Sequence, residues 1–109
     1  MEQWQTICEQ SDLIGNTGVC ALVGKEQVAV FYCGQTQSLY AMSNYDPIGK
    51  ANVISRGIMG SVEGVAVVAS PLFKQHFNLT TGQCLEQPEY QLKTYAVRLD
   101  KAKVQLRLE

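Results

Sequence analysis

Short apolar stretches separated by turn residues run the length of the chain, the pattern of an all-β fold. Trp4 to Ile7 predicts a first strand. Ser11 to Ile14 predicts one helical turn with Ser11 as its cap, ended by Gly15-Asn16-Thr17-Gly18. Val19 to Val23 and Val28 to Tyr32 predict a hairpin joined at Gly24-Lys25-Glu26-Gln27. Gly34 to Gln37 then turns the chain into Leu39 to Met42. These strands are almost continuously apolar, which points to cover on both faces. Ile58 to Val62 and Val65 to Ala69 predict a second hairpin across Glu63-Gly64, and Pro71 breaks it. From His76 to Leu79 the alternation puts Phe77 and Leu79 on one face, before a turn at Thr80-Thr81-Gly82. Near the end, Tyr95, Val97 and Leu99 alternate with polar or small residues, as do Val104, Leu106 and Leu108. Asp100-Lys101-Ala102-Lys103 joins them as a closing hairpin. No repeat, linker or second pattern interrupts residues 1–109, so one domain is expected.

Composition narrows the function. With 109 residues, a formal net charge of -1 and 17% charged residues, the chain has no basic stripe suited to nucleic acid. Its start lacks a basic segment followed by an apolar run, and the longest apolar run, Val65 to Ala69, is far too short to span a bilayer. A soluble cytoplasmic protein is the expectation. In that reducing compartment the 4 cysteines, Cys8, Cys20, Cys33 and Cys84, are expected as free thiols. None forms a CxxC pair. Cys20 and Cys33 fall in apolar strand patterns and read as core residues, whereas Cys8 and Cys84 have no clear place.

Candidate chemistry is sparse. His76 is the sole histidine and cannot build a multi-histidine metal site; as a neighbour of Phe77 it reads as an exposed strand residue. Asp46 precedes Pro47 in a loop, where an aspartate caps its own backbone. Ser70 lies in no G-x-S-x-G elbow. Glycine-rich nucleotide loops are absent. Asn78-Leu79-Thr80 fits the glycosylation pattern, a chance match in a cytoplasmic chain. Lys50, Arg56 and Lys74 lie in or beside two Pro-containing loops, and together would give a basic tip able to meet an acidic surface.

Those two loops, Asn44 to Gly49 and Ala69 to Gly82, carry a resemblance. Each follows a short apolar strand, as do the cluster loops of Rieske proteins, which read Cys-x-His and Cys-x-x-His. Here Asp46 and Ser70 occupy the cysteine positions, and Ile48 and Phe73 the histidine positions. The likeness extends through Trp4, Val19-Cys20-Ala21-Leu22, Ser43-Asn44-Tyr45-Asp46-Pro47, Ser55-Arg56-Gly57 and Val68 to Gln75. It continues through Leu79 to Glu86, Lys93-Thr94-Tyr95 and Val104-Gln105-Leu106. Over nearly its whole length the chain resembles the small subunits of bacterial NADH-dependent nitrite reductases.

The resemblance implies an all-β Rieske-like sandwich or partial barrel without its iron–sulfur cluster, a metal or other cofactor, or catalytic residues of its own. It implies a large-subunit partner that carries FAD, sirohaem and a [4Fe–4S] cluster and reduces nitrite to ammonium in nitrate assimilation. No nucleic acid, membrane or small-molecule substrate is expected to meet this chain directly. Ile48 and Phe73 are expected to pack where the cluster would sit. Asp46, Pro47, Lys50, Phe73, Lys74 and His76 are the expected partner-contacting residues. The alternatives are a degenerate ferredoxin-like interaction module of another oxidoreductase system, such as a ring-hydroxylating one, and a small enzyme with an unrecognised site.

Overall fold

Val28, Ala29, Val30 and Phe31 are all buried. They lie in β3 (Glu26–Cys33), an inner strand of a four-stranded antiparallel sheet. The computed structural model describes residues 3–13, 15 and 17–108. The sheet runs in the order β10 (Thr94–Tyr95), β4 (Ser38–Ser43), β3, β2 (Gly18–Val23). On one side Val28 and Val30 pack with Ala41, Val104 and Leu106. On the other, Ala29 and Phe31 join Met42, Ile54, Val68, Phe77, Leu79, Cys84 and Leu92. The continuous apolar run therefore has a direct cause: this strand has a core on each face. Truncating a buried ring such as Phe31 or Phe77 to Ala costs about 3–5 kcal/mol.

A second sheet covers the Val28 side. Its order is β1 (Gln3–Glu9), β12 (Lys103–Leu108), β11 (Val97–Asp100), so the first strand pairs with the last, from Gln3↔Leu108 to Glu9↔Lys103. The Arg98 guanidinium stacks 4.1 Å over the Trp4 ring. Ala96 is where the chain changes sheets: β10 pairs with β4, β11 pairs with β12, and the Arg107 amide donates to Ala96 O at 2.9 Å. On the Phe31 side lies a third sheet, β7 (Ile58–Val62), β8 (Val65–Ala69) and β9 (His76–Asn78). A ribbon of β5 (Tyr45–Asp46) and β6 (Ala51–Asn52) flanks the first loop.

The β7–β8 hairpin has the expected bounds, with Glu63 and Gly64 both at positive φ, the turn geometry that suits twisted strands. The closing hairpin turns at Lys101 and Ala102. Near the start, the helical turn expected from Ser11 is a short 3-10 segment over Gln10–Asp12, so Ser11 lies inside it and the cap is Glu9, whose amide donates to Asp12 Oδ2. Ile14 and Asn16, placed in that turn and its ending, lie outside the described residues, as does the side chain of Leu108.

The cysteine expectations need correction. Cys20 is exposed and Cys33 half-buried, whereas Cys84 is the fully buried thiol. β2 is an edge strand with one packed face: Ala21 is buried while its neighbour Leu22 is 69% exposed. Burial pushes the Cys84 and Cys8 thiols up, with the Asp12 charge adding to the effect at Cys8. Among the described residues no helix is long and apolar enough to cross a membrane.

Candidate functional site

Asn44 starts the first loop and fixes it to three elements. Its side chain donates to Gln27 Oε1 at 3.0 Å and reaches Cys20 Sγ at 3.5 Å. Its Oδ1 accepts from the Ser55 amide at 2.6 Å. Its own amide and carbonyl bond Gln27 O and the Ile54 amide. A buried amide side chain needs this degree of satisfaction, because each unpaired group would carry a desolvation penalty. Beside it Gly57 is held against β8, where an added Cβ would lie 2.4 Å from Ala69 O. The sequence features Asn44 and Ser55-Arg56-Gly57 thus meet in space.

Asp46 follows, 1% exposed. Its Oδ1 accepts from the amides of Ile48 at 2.8 Å and Gly49 at 3.0 Å, the self-capping expected of an aspartate before proline. Lys50 closes the turn with its amide on Asp46 O at 2.7 Å, and stands at φ 58.

The second loop repeats the plan. Ser70, also 1% exposed, accepts on Oγ from the Leu72 amide at 3.3 Å. The Lys74 amide donates to Ser70 O at 3.0 Å, and Lys74 stands at φ 59. Asn78 builds the same turn with Thr80, Thr81 and Gly82. Cys33 does so with Gln37, and its thiol, bonded by the Thr36 hydroxyl and the amides of Thr36 and Gln35, is pulled below its ordinary value. Each turn is a polar or thiol residue capping its own backbone, followed four residues later by a left-handed residue. The loop geometry therefore arises locally.

The two loops then join. Ser70 Oγ donates to Asp46 Oδ2 at 2.5 Å. Leu72 leans on Gly49 so closely that a Cβ there would lie 2.4 Å from Leu72 Cδ1. A Rieske centre needs two thiolates and two imidazoles at the four ligand positions. Ile48 and Phe73 have no donor atoms, and Asp46 and Ser70 have turned theirs on each other and on loop amides. These four side chains do not fit that cluster. Among the described residues, no three of His, Cys, Asp and Glu are grouped to hold a metal ion.

Two site expectations change. Ile48 packs, half-buried, against the Phe31 core, as expected. Phe73 does not; it is 64% exposed. With Asp46 and Ser70 in direct contact and Leu72 on Gly49, the ring is not drawn between the loops. Asp46, expected to meet a partner, is buried, with Oδ1 on the Ile48 and Gly49 amides and Oδ2 on the Ser70 hydroxyl. Lys50 and Lys74 are exposed, and Pro47 and His76 are half-buried. Arg56 and Ile58 join this end from the neighbouring turn and strand, with Ile58 77% exposed and paired to Ala69. Among the described residues Lys50, Arg56 and Lys74 appear in no ion pair.

His76 has a partner the sequence did not reveal. Its Nδ1 lies 2.5 Å from Glu86 Oε2, and its amide donates to Glu86 Oε1 at 2.8 Å. Burial pushes the Glu86 carboxyl up, but the hydrogen bonds from the His76 ring and amide outweigh it and leave the carboxyl below its ordinary value. No motif links positions 76 and 86; the Leu85 amide, bonded to His76 O, brings the two segments together.

A family described as a Rieske-like [2Fe-2S] domain matches residues 3–107. The chain is 46% identical to the nitrite reductase (NADH) small subunit of Salmonella typhimurium, over 98% of this chain and 99% of that one. The NMR structure of the Escherichia coli protein NirD superposes with a TM-score of 0.90 at 44% identity, covering 99% of this chain and 98% of the other. A nitrite reductase [NAD(P)H] large subunit from Klebsiella oxytoca contains a segment 35% identical to 93% of this chain, one tenth of its own length. By the Rieske-like frame, the paired loops and these full-length matches, the chain belongs to the family of nitrite reductase (NADH) small subunits.

Proposed function

We propose that this chain serves a cytoplasmic, NADH-dependent nitrite reductase as a subunit without a cofactor of its own, and acts by binding the large subunit. That partner is expected to carry FAD, sirohaem and a [4Fe–4S] cluster and to reduce nitrite to ammonium in nitrate assimilation. The observation carrying this reading is the Asp46–Ser70 hydrogen bond, which occupies the two cysteine positions of the Rieske frame. The Klebsiella large subunit supports the partnership, since it holds a segment similar to this chain within one polypeptide. The loop end is the proposed contact surface. Phe73, Leu72 and Ile58 supply its exposed apolar centre, and Lys50, Arg56 and Lys74 its basic rim, with Pro47 and His76 beside them. An apolar centre with charges outside is the usual anatomy of a docking surface.

The test is reconstitution. The large subunit is purified with and without this chain, and nitrite-dependent NADH oxidation is measured for each. Co-purification and a higher rate with the chain present are expected. Failure to associate, or stoichiometric iron with a Rieske-type spectrum in the anaerobically purified chain, would sink the reading.

A further inference from the structure

The two loops share more than a shape. Leu72 N–H donates to Ser70 Oγ, Ser70 Oγ–H donates to Asp46 Oδ2, and Asp46 Oδ1 receives the amides of Ile48 and Gly49. One carboxylate and one hydroxyl thus organise both turns and tie them together. Each turn ends on an exposed lysine held at positive φ, a conformation uncommon for residues other than glycine. The loop carrying Lys74 also carries Phe73.

We propose that Asp46 and Ser70 are positioning residues for the docking surface. In a Rieske centre the side chains at these two places grip one iron atom; here they grip each other. The bond sets the separation of the loops, and so the separation of Lys50 and Lys74. With Leu72 seated on Gly49, it also keeps Phe73 turned outward. The partner surface that fits is acidic, with an apolar recess for the Phe73 ring. This inference rests on the reading of the loop end as the contact surface. Its physical content is preorganisation: if the loops separate, only the fraction of molecules with loops closed can dock, and apparent affinity falls by that fraction.

The experiment uses the full chain and the purified large subunit. In Ser70→Ala, amide exchange should quicken at Ile48, Gly49 and Leu72, while Val68 and Phe77 stay protected. Binding per folded molecule should weaken about tenfold, the scale of a lost hydrogen bond to a charged group. Its salt dependence should match the wild type, because Lys50 and Lys74 remain. Ser70→Thr, which keeps the hydroxyl, should recover most of the loss. If Ser70→Ala fails to fold, Asp46→Asn with Ser70→Ala carries the same test with the buried carboxylate neutralised and Oδ1 still able to accept the Ile48 and Gly49 amides. Unchanged loop exchange would overturn the tie itself. Faster loop exchange with unchanged binding would overturn its positioning role. Unchanged binding by folded Lys50→Glu/Lys74→Glu would instead overturn the docking reading, and this proposal with it.

Discussion

The Tyr95 hydroxyl donates to Glu26 Oε2 at 2.5 Å, linking two residues 69 positions apart. Lys93 completes the cluster, 4.9 Å above the Tyr95 ring and 4.0 Å from the same carboxylate oxygen. Burial, then the bond to Glu26 and its charge, push the Tyr95 phenol up to about 12 from an ordinary 10.0. A folded value above the unfolded one stabilises the fold below the unfolded value, and this contribution is lost as pH rises through the folded value. The loss is therefore expected between pH 10 and about 12. Ultraviolet titration should show one late phenol, and Tyr95→Phe should remove it and flatten the alkaline limb of the stability profile. Glu26→Gln should bring that phenol back toward 10.0.

At the acid end the sign reverses. The Glu86 carboxyl is lower in the folded chain than its ordinary 4.5, so its contribution is present above that value and lost as pH falls through the folded value. Urea midpoints measured from pH 6 downward should show a shallower acid limb in Glu86→Gln than in the wild type, roughly a single-site effect. An identical slope would mean that the His76 bonds do not discriminate between protonation states.

Phe73 and Phe77 make a contrasting pair. Phe77 is fully buried and Phe73 is 64% exposed. Phe77→Ala should cost about 3–5 kcal/mol, while Phe73→Ala should change stability by no more than about 0.5 kcal/mol. Only the second should weaken association with the large subunit while the chain stays fully folded. Chemical denaturation and a binding titration on both variants check this.

Asn44 offers a test of the loop base. Asn44→Ala leaves the Ser55 amide without its side-chain acceptor and takes the amide donor from Gln27 Oε1, which keeps the Cys20 thiol, at a cost of about 2–3 kcal/mol. The urea midpoint should fall accordingly. A change below about 0.5 kcal/mol would show that water replaces the side chain.

Local pairing was legible in the sequence and distant pairing was not. The β7–β8 hairpin follows from two apolar runs around Glu63-Gly64, and its bounds match. The closing hairpin and the shared burial of Phe77 and Leu79 follow equally from alternation. Nothing local tells β1 that its partner is β12, or β10 that it pairs with β4. Nor does an apolar run say whether its strand lies inside or at an edge, and for that reason Cys20 was expected in the core. At the site, the paired loops and the self-capping of Asp46 were readable from residue type. The exposure of Phe73 was not, because it depends on the contact between Ser70 and Asp46 across the loops. Glu86 as the partner of His76 was invisible for the same reason.

The pairing of β1 with β12 also sets an order of events in folding. Its rungs, such as Gln3↔Leu108, close a loop of almost the whole chain, and closure entropy must be lost before those contacts return anything. The hairpins β2–β3, β7–β8 and β11–β12 close only short turns, so they can form while β1 is still free. Ile7, which packs from β1 against the Val28 side of the core, should then be a late participant. Ile7→Val should raise the unfolding rate and leave the refolding rate nearly unchanged in stopped-flow measurements. A slowed refolding limb would instead put the first strand in the nucleus.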